Sequence, residues 1–360
     1  MGPDRPGHSR LFVFPGGIDP EVLAIGGEEV PYARTDRFAS MVLEIETLLL
    51  AMLGCAGGRL LSLTASGTAA MEAVVANLVG PTDRVLAIEG GTFGRRWVDM
   101  LAFYAPGQVD VEHVPFGRDL DYERVEALLA GGGYSMLFIQ HHETSSGVRF
   151  DVPRLGSACT RLGALFAVDA IGSFLADEFS MDRFGVDVAV LSSHKGLCLP
   201  PGLAFVALGQ RALGRPYERR GAYLDFADNL ESLARGHPLF TPAVQLYRQL
   251  HRRLELLGGV GVEAVVDEVR AKALGFRRLL DADGREMVAA SPSNCLSSFL
   301  VRCPARELVS RLADEGFFIL PSAEVRQVRV AHLGTATDED HRELFSRILD
   351  IERRLTGARE

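Results

Sequence analysis

Two polar residues, Lys195 and Asp169, each follow a short apolar run of the kind that forms a buried strand. Side chains at the ends of two neighbouring strands can converge on one ligand. A lysine amine can form a Schiff base with an aldehyde, and a carboxylate can hold a pyridine nitrogen protonated. Together these two groups are the minimum equipment of a site for pyridoxal 5′-phosphate (PLP).

A turn of small residues upstream could bind the phosphate of such a cofactor. Ser66, Gly67 and Thr68 lie between a predicted strand and a predicted helix. Gly67 lets the backbone approach a ligand closely, and the free N–H groups at the start of a helix face an anion. Ser66 and Thr68 can add hydroxyl donors. Taken alone, the turn is also typical of a simple helix N-cap.

Three further residues could contact a planar heterocycle. Phe93 is bracketed by glycines, so that its ring can lie flat against the heterocycle. Thr144 belongs to a hydroxyl-rich turn at a strand end and could bond the pyridine O3′ or line the pocket. His194, just before Lys195, could contact the phosphate or the ring. Each has a plain structural alternative, namely a buried ring, a polar turn and a packed histidine.

The order of these turns along the chain is more informative than any single turn. Strand-like runs fall at 60–64, 84–89, 109–114, 135–141, 164–169, 186–192 and 203–208, with helical stretches between them. This alternation predicts an α/β fold, with a mostly parallel seven-stranded sheet flanked by helices. The carboxyl ends of parallel strands share one edge, where ligands bind in open α/β sheets.

The pattern changes near residue 240. Two long helices are expected at 242–257 and 262–280, then two strands at 296–302 and 325–331 around a helix, and a final helix at 337–356. The chain is predicted to comprise an N-terminal arm (1–15), a large PLP-binding α/β domain (16–240) and a smaller α+β C-terminal domain (241–360). The weakly periodic segment 217–235 is expected to be a mobile loop over the site.

Composition narrows the class of protein. A chain of 360 residues with 47% hydrophobic content can bury one large core or two adjoining cores. A net charge of −9 gives no broad basic surface, which argues against nucleic acid as a partner. The polar first ten residues and the absence of a long apolar stretch favour a cytoplasmic protein without a membrane anchor. The five cysteines form no C-x-x-C pair, so no metal site is predicted.

The motifs resemble those of the fold-type I PLP enzymes, and specifically the class V aminotransferases, among them alanine–glyoxylate, serine–pyruvate and 2-aminoethylphosphonate transaminases. The matching stretches, read from the sequence, are Pro-Gly at 15–16, Arg-Thr-Asp-Arg-Phe at 34–38, Ser-Gly-Thr at 66–68, Phe-Gly-Arg-Arg-Trp at 93–97, Glu-Thr-Ser-Ser-Gly at 143–147, Asp-Ala-Ile-Gly-Ser at 169–173, Ser-Ser-His-Lys at 192–195, Phe-Thr-Pro at 240–242 and Val-Arg-Val-Ala-His-Leu-Gly at 328–334. Nine matches in the right order, over nearly the whole chain, are highly specific.

The resemblance implies a role for each matched residue. Lys195 would be the Schiff-base lysine, and Asp169 would bind the pyridine nitrogen. The rest of the cofactor site would comprise Ser66, Gly67, Thr68, Phe93, Thr144, Ile171 and His194. Thr241 would reach the phosphate in the neighbouring subunit of a homodimer. Arg329 would bind the substrate carboxylate, for which a guanidinium fork is suited, with Gly17 and Arg34 also in the substrate site.

Three positions depart from the family pattern. Ala33 stands where histidine is frequent, His194 where glutamine or asparagine is frequent, and Gly172 where serine is common. These changes leave the cofactor chemistry intact. They weaken any transfer of substrate identity from the family to this chain.

The favoured function is transfer of an amino group between a small amino acid or amine and a 2-oxo acid such as pyruvate or glyoxylate. A PLP-dependent lyase, an aldol-type enzyme and a desulfurase use the same scaffold and stay open as alternatives. A desulfurase needs a reactive cysteine on a flexible loop, whereas Cys295 and Cys303 flank a predicted strand. A non-catalytic PLP-binding protein is less expected, because Lys195, Asp169 and Arg329 are all present.

Overall fold

The computed structural model describes residues 9–357, so the part of the predicted arm at 1–8 lies outside the described residues. The strands are β1 (Arg10–Phe12), β2 (Arg59–Leu63), β3 (Val85–Glu89), β4 (Val109–His113), β5 (Met136–Gln140), β6 (His142–Glu143), β7 (Val148–Arg149), β8 (Leu165–Asp169), β9 (Val188–Ser192), β10 (Ala204–Leu208), β11 (Leu296–Leu300), β12 (Phe317–Pro321) and β13 (Gln327–Ala331).

The helices are α1 (Pro20–Ala24), α2 (Asp36–Met52), α3 (Gly67–Leu78), α4 (Thr92–Tyr104), α5 (Tyr122–Gly132), α6 (Val152–Leu162), α7 (Met181–Phe184), α8 (Gln210–Leu213), α9 (Phe226–Leu233), α10 (Val244–Val260), α11 (Val262–Ala282), α12 (Ala305–Asp314) and α13 (Asp338–Gly357). A short 3-10 helix at Ile25–Gly27 follows α1. Among residues 9–357, no helix is both long enough and apolar enough to cross a membrane.

A seven-stranded sheet with the order β2-β10-β9-β8-β5-β3-β4 forms the centre of the fold. β10 runs antiparallel to both of its neighbours, and the pairs from β9 across to β4 are parallel. Every residue of β5, β8, β9 and β10 is buried, because helices cover the sheet and leave these strands no solvated side. The prediction of a mostly parallel seven-stranded sheet flanked by helices is confirmed.

The register of the central strands brings the polar turns together. Gln140 at the end of β5 pairs with Asp169 at the end of β8, and Asp169 pairs with Val190, two residues before the end of β9. The turns that follow these three strands therefore leave the same edge of the sheet side by side. Lys195 lies in the last of these turns.

A second sheet has the order β1-β12-β13-β11 and its own core of side chains. The strands β11 and β13 match the two predicted ones, whereas β1 and β12 were not predicted. The parallel pairing of β1 with β12 places residues 10–12 of the predicted arm in this sheet. The division of the chain at residue 240 stays a prediction. Helix α10, which follows that position, buries Tyr247, Leu250 and Leu254 in the core of the seven-stranded sheet.

The expectation of a mobile loop at 217–235 is wrong for its second half. Helix α9 occupies Phe226–Leu233, and the ring of Phe226 is fully buried. The backbone N–H of Phe226 donates to Oδ1 of Asn77 on α3 at 2.9 Å, which fixes the segment to the large sheet. A helix of 8 residues is too short for helical periodicity to be visible in the sequence.

Candidate active site

Lys195 is buried in the turn after β9, with only 7% of its surface exposed. Its Nζ lies 3.5 Å from the centroid of the Phe14 ring. Burial lowers the pKa of Lys195 from 10.5 to about 8, although Cys295 and Asp169 oppose the shift. An amine with such a pKa is partly unprotonated near neutral pH and can act as a nucleophile.

Asp169 ends β8 and is 4% exposed. Burial raises the pKa of Asp169 from 3.8 to about 7, and the charge of Glu143 adds to this effect. One carboxylate oxygen accepts the N–H of Ile171 at 2.8 Å, which acts in the opposite direction. No arginine or lysine forms a salt bridge with Asp169 within residues 9–357. Such a carboxyl is well placed to share a proton with a ring nitrogen.

The predicted phosphate turn lies at the start of α3, beside the turn that follows Asp169. A Cβ atom on Gly67 would lie 2.5 Å from Cδ1 of Ile171 and 3.3 Å from Cβ of Ser192, so a side chain at this position would force Ile171 to shift. Ser66 occupies the N-cap position, but its side chain makes no capping hydrogen bond. The Ser66 side chain therefore leaves the N–H groups of Gly67 and Thr68 open to an anion, whereas the Ala69 N–H donates to the Ser66 backbone oxygen at 2.9 Å.

Phe93 and Thr68 are joined by Arg96, to which the sequence had assigned no role. The guanidinium of Arg96 lies 4.6 Å from the centroid of the Phe93 ring. Its Nη1 donates to Oγ1 of Thr68 at 3.0 Å. Arg96 is three residues after Phe93 on α4, a spacing that places two side chains on one helix face and could have indicated this contact. Arg96 adds a cation beside the phosphate turn.

Arg329 reaches the same edge from the second sheet. Its Nη1 donates to the backbone oxygen of Thr144 at 3.0 Å, and its Nη2 donates to the oxygen of Pro321 at 2.5 Å. Burial lowers the pKa of Arg329, and the charge of Glu143 opposes this shift. A guanidinium thus lies against the turn in which Thr144 was predicted to approach the cofactor.

The remaining predicted residues lie in three different places. His194 is half-buried beside Lys195, and burial together with the Lys195 charge lowers the pKa of His194 from 6.5 to about 4. His194 is therefore neutral near pH 7 and cannot supply a charge to a phosphate. By contrast, Thr241 and Arg34 are exposed and line a surface groove rather than the Lys195 site. Gly17 packs against Thr335, whose N–H donates to the Gly17 oxygen at 3.2 Å.

The residues that the fold gathers at this edge fit PLP. The open helix start at Gly67 suits a phosphate, and the half-buried ring of Phe93 suits a planar heterocycle. The buried, weakly bonded carboxyl of Asp169 suits a pyridine nitrogen, and the amine of Lys195 suits an aldehyde.

Comparison with known proteins places the chain in a family. The family model for aminotransferase class-V matches residues 32–317. An L-aspartate–glyoxylate aminotransferase from Paracoccus denitrificans is 31% identical over 291 residues, which cover 76% of this chain and 73% of that protein. A serine–glyoxylate aminotransferase from Methylorubrum extorquens is 29% identical over 301 residues, covering 80% of this chain and 75% of that protein.

A solved structure agrees with the sequence relatives. An aspartate aminotransferase from Thermus thermophilus superimposes with a TM-score of 0.88 at 28% identity, covering 95% of this chain and 98% of that one. The shared fold, the matching family model and the gathered amine, acid and anion site point the same way. The chain belongs to the class V aminotransferase family, and it is a PLP-dependent aminotransferase.

Proposed function

We propose that this aminotransferase moves an amino group from a small amino acid or amine to a small 2-oxo acid such as glyoxylate or pyruvate. The observation that carries the proposal is the buried amine of Lys195 beside the buried carboxyl of Asp169, with the Arg329 guanidinium at the adjacent turn. Relatives named as glyoxylate aminotransferases support the choice of acceptor.

Lys195 and Asp169 divide the proton chemistry between them. When bound, PLP supplies an aldehyde carbon that accepts amines and a ring that delocalises the electrons left on the substrate carbon. Lys195 would hold that aldehyde, and after the donor amine has displaced it, its free amine would carry a proton from the substrate carbon to the former aldehyde carbon of the cofactor. Asp169 holds a proton on the ring nitrogen. The pKa of about 8 lets Lys195 act as a base near neutral pH.

Other residues orient the cofactor. The phosphate is bound by the N–H groups at the start of α3 and by Ser66, Gly67 and Thr68. Arg96, which donates a hydrogen bond to Thr68, places a positive charge beside the phosphate. Phe93 and Ile171, whose side chain lies against Gly67, would contact the ring. Thr144 bonds O3′, and His194 offers a neutral hydrogen-bonding group beside Lys195.

Arg329 binds the carboxylate of the 2-oxo acid. Its two terminal nitrogens now donate to neutral backbone oxygens, and a carboxylate can accept the same fork with a charge-assisted, bidentate geometry. Gly17 completes the substrate site in this proposal, and Arg34, which lies in the exposed groove with Thr241, would join the site of a neighbouring subunit.

The same groove supports a homodimer. Thr241 is surrounded by apolar side chains that are far more exposed than is usual, with Tyr32 at 73%, Val30 at 60% and Phe240 at 41%. Contiguous exposed apolar groups are typical of a protein interface. A second copy seated here would bring Thr241 to the phosphate of its neighbour.

A cytoplasmic location is part of the proposal, and the five unpaired cysteines fit a reducing compartment.

The state of Cys295, whose charge would act on the pKa of Lys195, disfavours the alternative of a desulfurase. Cys295 is fully buried, and burial raises its pKa from 9.0 to about 12. A reactive cysteine needs a thiolate and access to substrate. A lyase or aldol-type enzyme would yield other products from the same donor, so product analysis separates them.

The first prediction concerns the half-reaction and the lysine. The sequence contains two lysines, Lys195 and Lys272. Borohydride reduction of the holoenzyme, followed by peptide mapping, is expected to find a pyridoxyl group on Lys195 and none on Lys272. An amino donor without acceptor is expected to yield one 2-oxo acid per cofactor and pyridoxamine phosphate. A product from carbon–carbon or β-elimination chemistry, or an unlabelled Lys195, would contradict the proposal.

The second prediction concerns Arg329. The variant R329K keeps the charge but loses the fork, so KM for the 2-oxo acid is expected to rise about 10- to 100-fold, in keeping with the loss of one charged hydrogen bond. Steady-state kinetics over a range of acid concentrations measures the change. The matched control is R326K at an exposed arginine on the same segment, which is expected to leave KM unchanged.

The third prediction concerns the pH dependence of stability in the apoenzyme. Because the pKa of Asp169 is raised to about 7 on folding, the folded state holds a proton between pH 4 and 7 that the unfolded state has lost. This contribution to stability is complete below pH 4 and disappears as the pH rises through 7. The thermal midpoint of the wild type minus that of D169N is therefore expected to fall over this window. A constant difference would show that Asp169 is charged throughout.

A further inference from the structure

Glu143 is a fully buried carboxylate that the proposed chemistry does not use. It lies at the end of β6, and its exposed fraction is zero. Five groups donate hydrogen bonds to it: the N–H groups of Phe93 (3.1 Å) and Gly94 (3.1 Å), Nε2 of Gln140 (3.1 Å), and the N–H (3.1 Å) and Oγ (2.5 Å) of Ser145. Within residues 9–357, no lysine or arginine forms a salt bridge with it.

One oxygen of Glu143 holds the start of α4. Oε2 accepts the N–H groups of Phe93 and Gly94, which are unpaired donors of the first helical turn. A carboxylate is also favoured there by the helix dipole. The backbone closes tightly on the acid, since a Cβ atom on Gly91 would lie 2.7 Å from Cδ of Glu143. The Phe93 N–H also lies 3.4 Å from Oε1, so the backbone that carries the Phe93 ring is fixed by this carboxylate and mainly by its Oε2.

The other oxygen of Glu143, Oε1, holds the turn at Thr144 and Ser145, to which β13 of the second sheet is hydrogen-bonded. Oε1 accepts both the N–H and the hydroxyl of Ser145. The backbone oxygens of this turn then accept hydrogen bonds from β13: Thr144 from Arg329, and Ser145 from Nε2 of Gln327 at 3.0 Å. Fixing the turn therefore fixes the position of the Arg329 guanidinium relative to the large sheet.

We propose that Glu143 is a positioning residue that couples the stacking ring, Phe93, to the carboxylate-binding guanidinium, Arg329. The inference rests on the roles given to these two residues in the proposed function. A plain helix cap would use one acceptor for one helix. Glu143 uses its two oxygens for two separate elements, one on the cofactor side and one on the substrate side.

The variant E143Q tests the coupling. An amide accepts on one side only, and its NH₂ group would face N–H donors on the other, so one of the two elements loses its acceptor. We expect the dissociation constant of PLP from the apoenzyme and KM for the 2-oxo acid each to rise about tenfold, with kcat changing far less. The single tryptophan, Trp97, is buried on α4, and quenching of its fluorescence by PLP measures binding without any turnover.

Two further variants of Glu143 sharpen the result. E143D keeps the charge with a shorter reach and is expected to lie between the wild type and E143Q on both quantities. In the background of R329K, E143Q is expected to add little to KM, because the guanidinium it positions has gone, yet still to weaken PLP binding. The matched control is E123Q, which makes the same change at a carboxylate 79% exposed on α5 and should alter neither quantity.

The outcomes separate the inference from the function on which it rests. A wild type that binds PLP but forms no pyridoxamine phosphate from any donor overturns the proposed function, while the Trp97 titration still reports on the Phe93 side. A wild type that transaminates, with an E143Q variant that changes only the melting temperature or only one of the two constants, overturns the coupling. If E143Q does not fold, S145A carries the test, because it removes a donor from Oε1 and the long 3.3 Å acceptor of the Thr92 N–H, but leaves the bonds from Phe93 and Gly94 to Oε2 in place. A rise in KM at constant PLP affinity then supports the coupling, and an unchanged KM contradicts it.

Discussion

The site depends on burying an amine and a carboxyl at the ends of two adjacent strands. Removing both groups from water disfavours their charged forms, which is why the pKa of Asp169 rises and that of Lys195 falls. Neither group is neutralised by a salt bridge within residues 9–357. A ligand with a pyridine nitrogen at one end and an aldehyde carbon at the other satisfies both groups at once. The cost of burying them is a reason for the site to bind such a ligand tightly.

Glycine positions set how closely the surrounding elements approach. Gly67 allows the start of α3 to meet Ile171, because a Cβ atom at this position would lie 2.5 Å from Cδ1 of Ile171. The departure from the family pattern at Gly172 has a similar explanation. A Cβ atom there would lie 2.4 Å from Nδ1 of His142, so the loss of a side chain at 172 goes together with the buried imidazole at 142.

The large sheet could be predicted because its central strands β5, β8, β9 and β10 are almost entirely apolar runs, and because strands and helices alternate along this part of the chain. The small sheet could be predicted only in part, because the three residues of β1 acquire their partner, β12, from the far end of the chain. Thr241 and Arg34 could be given roles only through the family resemblance, since a single chain leaves them in an exposed groove. Glu143 looked like part of a polar turn. Its five donors become apparent only when α4 and the Ser145 turn are placed around it.

The central claim is that Asp169 and Lys195 bind opposite ends of one pyridine ring, Asp169 at the ring nitrogen and Lys195 at the aldehyde carbon. The most direct measurement is the ¹⁵N NMR shift of PLP labelled at the ring nitrogen and bound to the protein, in the wild type and in D169N. The account predicts a protonated nitrogen in the wild type near pH 7 and an unprotonated one in D169N. An unprotonated nitrogen in the wild type, or the same shift in both proteins, would contradict it.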